Sequence, residues 1–417
     1  MKIILSTFFT KILSAACSLA IVILTTHFFG TTGRGEISLL TADIGLVLLI
    51  SQLVGGPSLV YLYPRSNPFR LLIISLIWSI LTPLLLVPIM HTLGWIEHGF
   101  TFHLVFLCIT LGCASAFHMV ALGAEKIQIY NVLHLLLSLV VLLSLCFSFF
   151  VLRQINTINY VACLYISYGI ALLLAVASSK GLLPNKSTYT WAIVAKEALY
   201  RGATVQFSNI VQFFNYRLSY FFLSDYMANL GIFSVTLVLA EAVWLIGNSI
   251  SLVHFSQVSN EKTREKSITQ SFIYAKLSFW STLACVMLLA LAPTWVYAFV
   301  FGSDFGQAKM PTLILCPGIL AIGFGMIFSH YFSGTGRFRT NNMAAVWGLA
   351  TKIPFCLLLI PTYKEIGAAW ACTLSYFTSF IILYYKFHRE TGFSFYDLAL
   401  SKLELETITA QLKKIIT

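Results

Sequence analysis

Five charged side chains interrupt the long apolar runs of this sequence: Lys11, Asp43, Arg217, Glu241 and Lys352. A charge at bilayer depth costs about 2.5–3.5 kcal/mol on insertion scales, so such residues usually line a polar cavity or pair with one another. Arginine carries a fork of donors that binds a phosphate or carboxylate two-fold and never loses its proton. Glutamate or aspartate in a poorly solvated site can hold a proton or a sodium ion and so couple transport to a gradient. The chemistry these residues suit is the handling of an anionic, polar cargo across hydrocarbon, with H+ or Na+ as the coupling ion and no other cofactor.

Spacing adds neighbours to these charges. At 100° per residue Lys11, Ser14, Ser18 and Thr25 fall near one line, and Ser234, Glu241 and Asn248 recur every seven residues on one helical face. From Gln206 the chain reads QFSNIVQFFNYRLSYFF, in which Asn209, Gln212, Asn215 and Arg217 wrap most of a helix that lipid alone cannot surround. Asp43 and Gln52, nine residues apart, lie on opposite faces, so at most one faces a central cavity. Bland readings stand beside these: Lys11 snorkelling to an interface, Asp43 pairing with Arg34, and Arg217 with Glu241 as a structural ion pair. Lys352 has no assigned role. His118 and His330 lack a second ligand at metal spacing, and no metal site is expected.

The positioning elements are membrane helices. A chain 58% hydrophobic and 10% charged, with mean hydropathy +0.86, has lipid as its solvent. Twelve spans are read at about 5–29, 37–63, 71–93, 102–123, 129–152, 160–179, 203–223, 232–256, 272–301, 311–333, 341–361 and 367–386. All nine cysteines fall inside spans and read as packing residues. The net charge of +11 is a matter of topology, not of nucleic-acid binding. Nineteen Lys/Arg lie on the side of the termini, whereas Arg34, Arg153, Lys309 and Lys364 lie on the other, which predicts cytoplasmic termini. No cleavable signal peptide is evident.

The sequence divides into halves that rhyme. Gly35-x-x-Ser38 opens span 2 and Gly231-x-x-Ser234 opens span 8. Gly123-x-x-Lys126-x4-Asn131 follows span 4, and Gly334-x-x-Arg337-x4-Asn342 follows span 10. The fold expected is therefore all-α and polytopic, with two six-helix bundles related by a parallel repeat, a transporter plan. The divisions are 1–180, an amphipathic linker 181–202 with Trp191, Val194 and Leu199 on one stripe, 203–386, and an amphipathic tail 387–417. In the tail, Ser401 and Glu404 suggest a capping box and Leu405, Ile408, Leu412 and Ile415 an apolar stripe. The outer loops, 30–36, 94–101, 153–159, 224–231, 302–310 and 362–367, are too short for an external catalytic domain.

At these same motifs the chain resembles the polysaccharide or O-antigen flippases of the multidrug/oligosaccharidyl-lipid/polysaccharide (MOP) exporter superfamily. The residues that carry the resemblance are Gly30-x-x-Gly33-Arg34-Gly35-x-x-Ser38-Leu39, Asn215-Tyr216-Arg217-Leu218-x-Tyr220-Phe221, Gly231 to Ser249, and Gly334-x-Gly336-Arg337 through Tyr376. Ser219 departs from it, standing where the family often has aspartate. The resemblance implies a MATE-like V-shaped cavity lined by helices 1, 2, 7 and 8, and a polyprenyl-diphosphate-linked oligosaccharide flipped outward across a bacterial inner membrane. Arg217 and Lys11 would take the diphosphate, Asn209, Gln212, Asn215 and Asn248 the sugar hydroxyls, and Glu241 and Asp43 the coupling ion. Membrane lipid and a polysaccharide polymerase machinery would be its partners. A cation-coupled drug or metabolite antiporter of the same superfamily is the nearest rival; a membrane glycan polymerase or ligase would need larger outer loops. No Walker motif is present to make ATP the direct driver.

Overall fold

Lipid cannot hydrogen-bond a peptide group, so each crossing segment must satisfy its own backbone, and helices do this. The computed structural model of the chain describes residues 2–92, 94–96, 99–183, 190–261 and 263–399, with side chains throughout except at 2–5 and 8. These residues form α1 (Lys2–Gly55), α2 (Pro57–Leu62), α3 (Pro68–Thr92), α4 (Thr101–Gly123), α5 (Ile127–Cys146), α6 (Thr157–Ser178), α7 (Trp191–Phe222), α8 (Met227–Asn260), α9 (Arg264–Leu291), α10 (Thr294–Phe301), α11 (Lys309–Gly334) and α12 (Phe338–Thr391). No strand occurs among the described residues. Nine helical rods there are long and apolar enough to cross a bilayer, and the chain is a multi-pass membrane protein. The polar α7 is not one of the nine.

Two rods are broken at a single residue. Gly30 interrupts α1 at φ 66°, ψ −167°, a left-handed conformation that glycine adopts without a Cβ clash. Lys364 interrupts α12 at φ 48°, ψ −122°, three residues after Pro361 has removed a ladder hydrogen bond. The outer loops expected at 30–36 and 362–367 are therefore these one-residue breaks, and Arg34 is helical and buried. The stripe expected on the linker is corrected too. Trp191 to Leu199 form the first turns of α7, where Val194 and Ala198 pack into a core with Val54, Leu59 and Leu72 while Trp191 and Leu199 remain exposed. The features read in 401–415 lie outside the described residues.

The helices gather into two compact units. Unit 1 runs to Ser234 and includes Ala298–Phe305; unit 2 comprises Val235–Tyr297 and the chain from Gly306. These boundaries differ from the sequence divisions at 180 and 203, because α7 and the first turns of α8 pack with unit 1. Gly202 of α7 lies so close to α1 that a Cβ there would sit 1.6 Å from the Leu53 carbonyl oxygen. Unit 1 is cored by Ile37, Leu40, Val47, Leu104, Leu107 and Phe149. Unit 2 is cored by aromatics, among them Phe324, Phe328, Phe380 and Phe387, with the Phe328 and Phe387 rings stacked at 4.5 Å.

The sequence repeats take the same geometry in each unit. After α4, Ala124 N–H donates to Val120 O (2.9 Å), Glu125 to Leu122 O (3.0 Å) and Lys126 to Ala121 O (2.9 Å). After α11, Thr335 donates to Tyr331 O (3.0 Å), Gly336 to Ser333 O (3.0 Å) and Arg337 to Phe332 O (2.7 Å), the same offsets in the same order. The third residue is left-handed both times, Glu125 at φ 59° and Gly336 at φ 77°. The other repeated motif brings its two copies into contact within unit 1. A Cβ on Gly35 would lie 2.0 Å from Met227 O, and one on Gly231 would lie 1.9 Å from Thr31 O. The opening turns of α8 and of the second half of α1 therefore touch backbone to backbone.

Gly35→Ala and Gly231→Ala are each expected to lower stability by about 1–3 kcal/mol, the usual cost of overpacking. Gly169→Ala, whose Cβ would meet open space, serves as the control. Thermal unfolding in detergent reads the difference; equal midpoints for all three would sink the close-contact argument.

Candidate functional site

The glycine crossing is clamped by one buried arginine. Arg34 is 7% exposed; its Nε donates to Ser234 Oγ at 3.1 Å and its Nη1 to Thr25 Oγ1 at 3.0 Å. Each acceptor gives its own proton to a helix carbonyl: Ser234 to Gly231 O (2.8 Å), Thr25 to Ile21 O (2.8 Å). Ser38 Oγ closes the motif by donating to Arg34 O at 2.7 Å. One side chain thus ties both halves of α1 to the opening of α8. Only its glycine and serine neighbours were legible as a repeat; that the cation itself faces inward was not.

The sequence-predicted residues divide between the units. Unit 1 carries Lys11, Asp43, Asn209, Gln212, Asn215 and Arg217, and unit 2 carries Glu241, Asn248 and Lys352. On α7 the polar residues separate by side. Gln206, Asn215 and Ser219 are buried on the stripe that also holds Val194, Ala198 and Gly202. Asn209 is exposed, and Gln212, Tyr216 and Arg217 are half-buried. Asn209 donates to Gln206 Oε1, which links the two sides. Arg217 Nη1 donates to Tyr220 Oη at 3.2 Å, with the guanidinium 5.2 Å above that ring.

On α8 the seven-residue stripe is graded: Ser234 is buried, Glu241 half-buried and Asn248 exposed. The polar face of helix 1 divides as well. Ser14 and Ser138 of α5 share a hydrogen bond at 3.0 Å, Asn131 of α5 donates to Thr7 Oγ1 at 2.8 Å, and Thr25 belongs to the Arg34 clamp. Lys11 and Ser18 are exposed.

Asp43 is 3% exposed, beside the core residues Leu40, Ile44 and Val47, and its Oδ1 has no hydrogen-bond partner. The expected pairing with Arg34 is not made, since residues nine apart on a helix point to opposite sides. Gln52 faces elsewhere, donating to Ser115 Oγ at 3.2 Å. A buried carboxyl oxygen of this kind is satisfied by a proton or a cation. Lys352 is wholly buried within unit 2.

No family model matches the sequence. A stretch of 163 residues is 29% identical to the capsular polysaccharide biosynthesis protein CapF of Staphylococcus aureus, covering 38% of this chain and 41% of that protein. The chain thus matches well under half the length of this relative. Among solved structures, the lipid II flippase MurJ in its inward closed conformation superposes with TM-score 0.75 over 95% of this chain and 88% of that one, at 15% identity. An inward-facing multidrug resistance MATE family transporter of the MOP superfamily gives 0.69 over 91% and 94%, at 13% identity. The chain has the fold of these exporters.

A double-mutant cycle tests the clamp. Arg34→Ala and Ser234→Ala are expected to show a coupling of about 0.5–3 kcal/mol, as residues in one hydrogen-bond network do. Arg34→Lys, with a point charge in place of the fork, should not restore it. Additive losses would mean the two side chains act independently.

Proposed function

We propose that this protein is a flippase that moves a polyprenyl-diphosphate-linked oligosaccharide, a capsule, O-antigen or exopolysaccharide repeat unit, from the cytoplasmic to the outer leaflet of a bacterial inner membrane. The observation that carries the reading is the likeness of a long stretch to a capsular polysaccharide protein within a fold shared with a lipid II flippase. In this reading the chain crosses the membrane twelve times with both termini cytoplasmic and works by alternating access. No step of covalent chemistry is required, and polysaccharide polymerase machinery would receive the product.

The half-buried Arg217 would bind the diphosphate with its fork, and the exposed Lys11 would add a second positive charge. Asn209 and Gln212 on α7, and Asn248 on α8, would replace water around sugar hydroxyls. Asn215, on the packed side of α7, would hold the helix beneath Arg217. The isoprenoid tail would stay in lipid. Asp43, with its unpaired oxygen, and Glu241 would take H+ or Na+. Membrane potential also contributes, about 2.3 kcal/mol for each charge carried through 100 mV.

The MATE likeness favours a second reading, a cation-coupled drug or metabolite antiporter. There Asp43 and Glu241 would bind a cationic cargo directly and Arg217 would oppose it.

Arg217→Ala should stop lipid-linked glycan from reaching the outer leaflet at unchanged expression, with about 2–5 kcal/mol of binding lost. Undiminished flipping removes Arg217 from the diphosphate site, and drug efflux lost instead favours the antiporter. Glu241→Gln and Asp43→Asn should abolish dependence on a proton or sodium gradient in proteoliposomes. Wild-type transport indifferent to both gradients excludes the coupling role of these acids.

A further inference from the structure

Unit 2 holds a cationic cavity made of none of the residues assigned to transport under the proposed function. At one end of this unit α8 finishes, α9 starts, α11 gives way to α12, and α12 ends; Val258 lies against Gly334, and Arg264 and Arg337 both reach Glu390. At 1.5 Å per residue α11 is about 39 Å long, longer than a hydrocarbon core of about 30 Å, which leaves length for this basic end to reach headgroup level. Here a cavity of about 460 Å³ is lined by Arg337, Lys386, Arg389, Glu390, Thr340 and Phe332.

The single acid is already engaged. Glu390 takes an ion pair from Arg337, a longer one from Arg264 at 3.5 Å, and a hydrogen bond from Tyr331 Oη at 3.1 Å. Arg337 is further fixed by Thr335 Oγ1, which accepts from its Nε at 3.1 Å and its Nη2 at 3.0 Å. Lys386 and Arg389 have no acidic partner among the described residues; Arg389 rests 5.6 Å above the Tyr385 ring. The cavity therefore presents one fork and one point charge, held open beside a third cation that is neutralised. Exposed aromatics accompany it: Tyr385 is part of its lining, Phe338 follows Arg337 in sequence, and Phe395 and Tyr396 lie just beyond α12. Aromatic belts of this kind mark the membrane interface.

We infer that this cavity binds the phosphate of an anionic phospholipid headgroup, with Arg389 and Lys386 as its principal ligands and the acyl chains lying along the aromatic rim. Basic pockets between membrane helices take such headgroups, and a volume of this size holds a glycerophosphate rather than a bare anion. The site would fasten the end of unit 2 to the anionic leaflet, independently of whatever cargo the protein carries.

The test uses the purified full chain, with native mass spectrometry and a titration of short-chain phosphatidylglycerol against phosphatidylcholine. The double variant Lys386→Ala with Arg389→Ala is expected to bind phosphatidylglycerol about 30-fold more weakly, the effect of two surface cations, and phosphatidylcholine unchanged. Arg389→Lys should retain most of the affinity, and Arg339→Ala, on the same end but outside the cavity, all of it. Unchanged phosphatidylglycerol binding in the double variant overturns the site, as does an equal loss in Arg339→Ala, which would mean a diffuse field. Inorganic phosphate that binds the lipid-free protein and displaces phosphatidylglycerol at equal concentration would overturn the lipid assignment in favour of a free anion.

Discussion

Helices in lipid gain little by hiding apolar surface from one another, so they associate where small residues let backbones touch and polar groups bond across. Gly35 and Gly231 supply the first condition and Arg34, Thr25 and Ser234 the second. The two depend on each other. Without the close backbone approach the guanidinium could not reach a serine on α8, and without that serine the buried guanidinium would lose one of its hydrogen-bond acceptors. α8 then leaves unit 1 at Ser234 and continues in unit 2, so its starting position is set by this contact.

The repeat shows how different residues satisfy one backbone requirement. Both helix junctions close with the same three hydrogen bonds and a left-handed third residue, yet Gly336 fills that position in one and Glu125 in the other. Glycine is at ease there, whereas an L-residue must be held by its surroundings. Tyr63 packs over Gly123 and Val258 over Gly334, so the first glycine of each motif makes room for the helix beside it. The spacing Gly-x-x-cation visible in the sequence is the trace of this geometry: the glycine is a packing site and the cation is the first residue after the reversal.

Much of the helix plan was legible, since long apolar runs survive averaging over a window, whereas the polar α7 does not reach that average and stands out by its place between them. The breaks at Gly30 and Lys364 were not, because a one-residue reversal leaves no stretch of its own and charged residues beside it have the composition of a loop. The same composition hides Arg34, whose side chain turns inward to two hydroxyls. Periodicity could place Asp43 and Arg34 on opposite faces, but it could not say which face was the core. The linker stripe failed similarly. Val194 and Leu199 stand about 140° apart at 100° per residue, and the line through Val194, Ala198, Gly202 and Gln206 is the one buried.

Polarity inside a membrane helix therefore has two uses, and α7 shows both. Its packed side spends Gln206, Asn215 and Ser219 on contacts within unit 1, while Asn209, Gln212 and Arg217 stand at least partly outside that packing. A sequence count does not distinguish them, because it does not see which side of the helix is packed. The packing separates them, since a buried polar group must find its partner within the protein whereas an accessible one can exchange water for a ligand. The same distinction sorts the five charges. Asp43 and Lys352 are enclosed by protein, Arg217 and Glu241 are half-open, and Lys11 is exposed. An accessible charge can bind and release; an enclosed one can do so only if a small ion or proton reaches it. That difference in access, more than depth in the sequence, is the reason we propose the arginine for cargo and the buried aspartate for coupling.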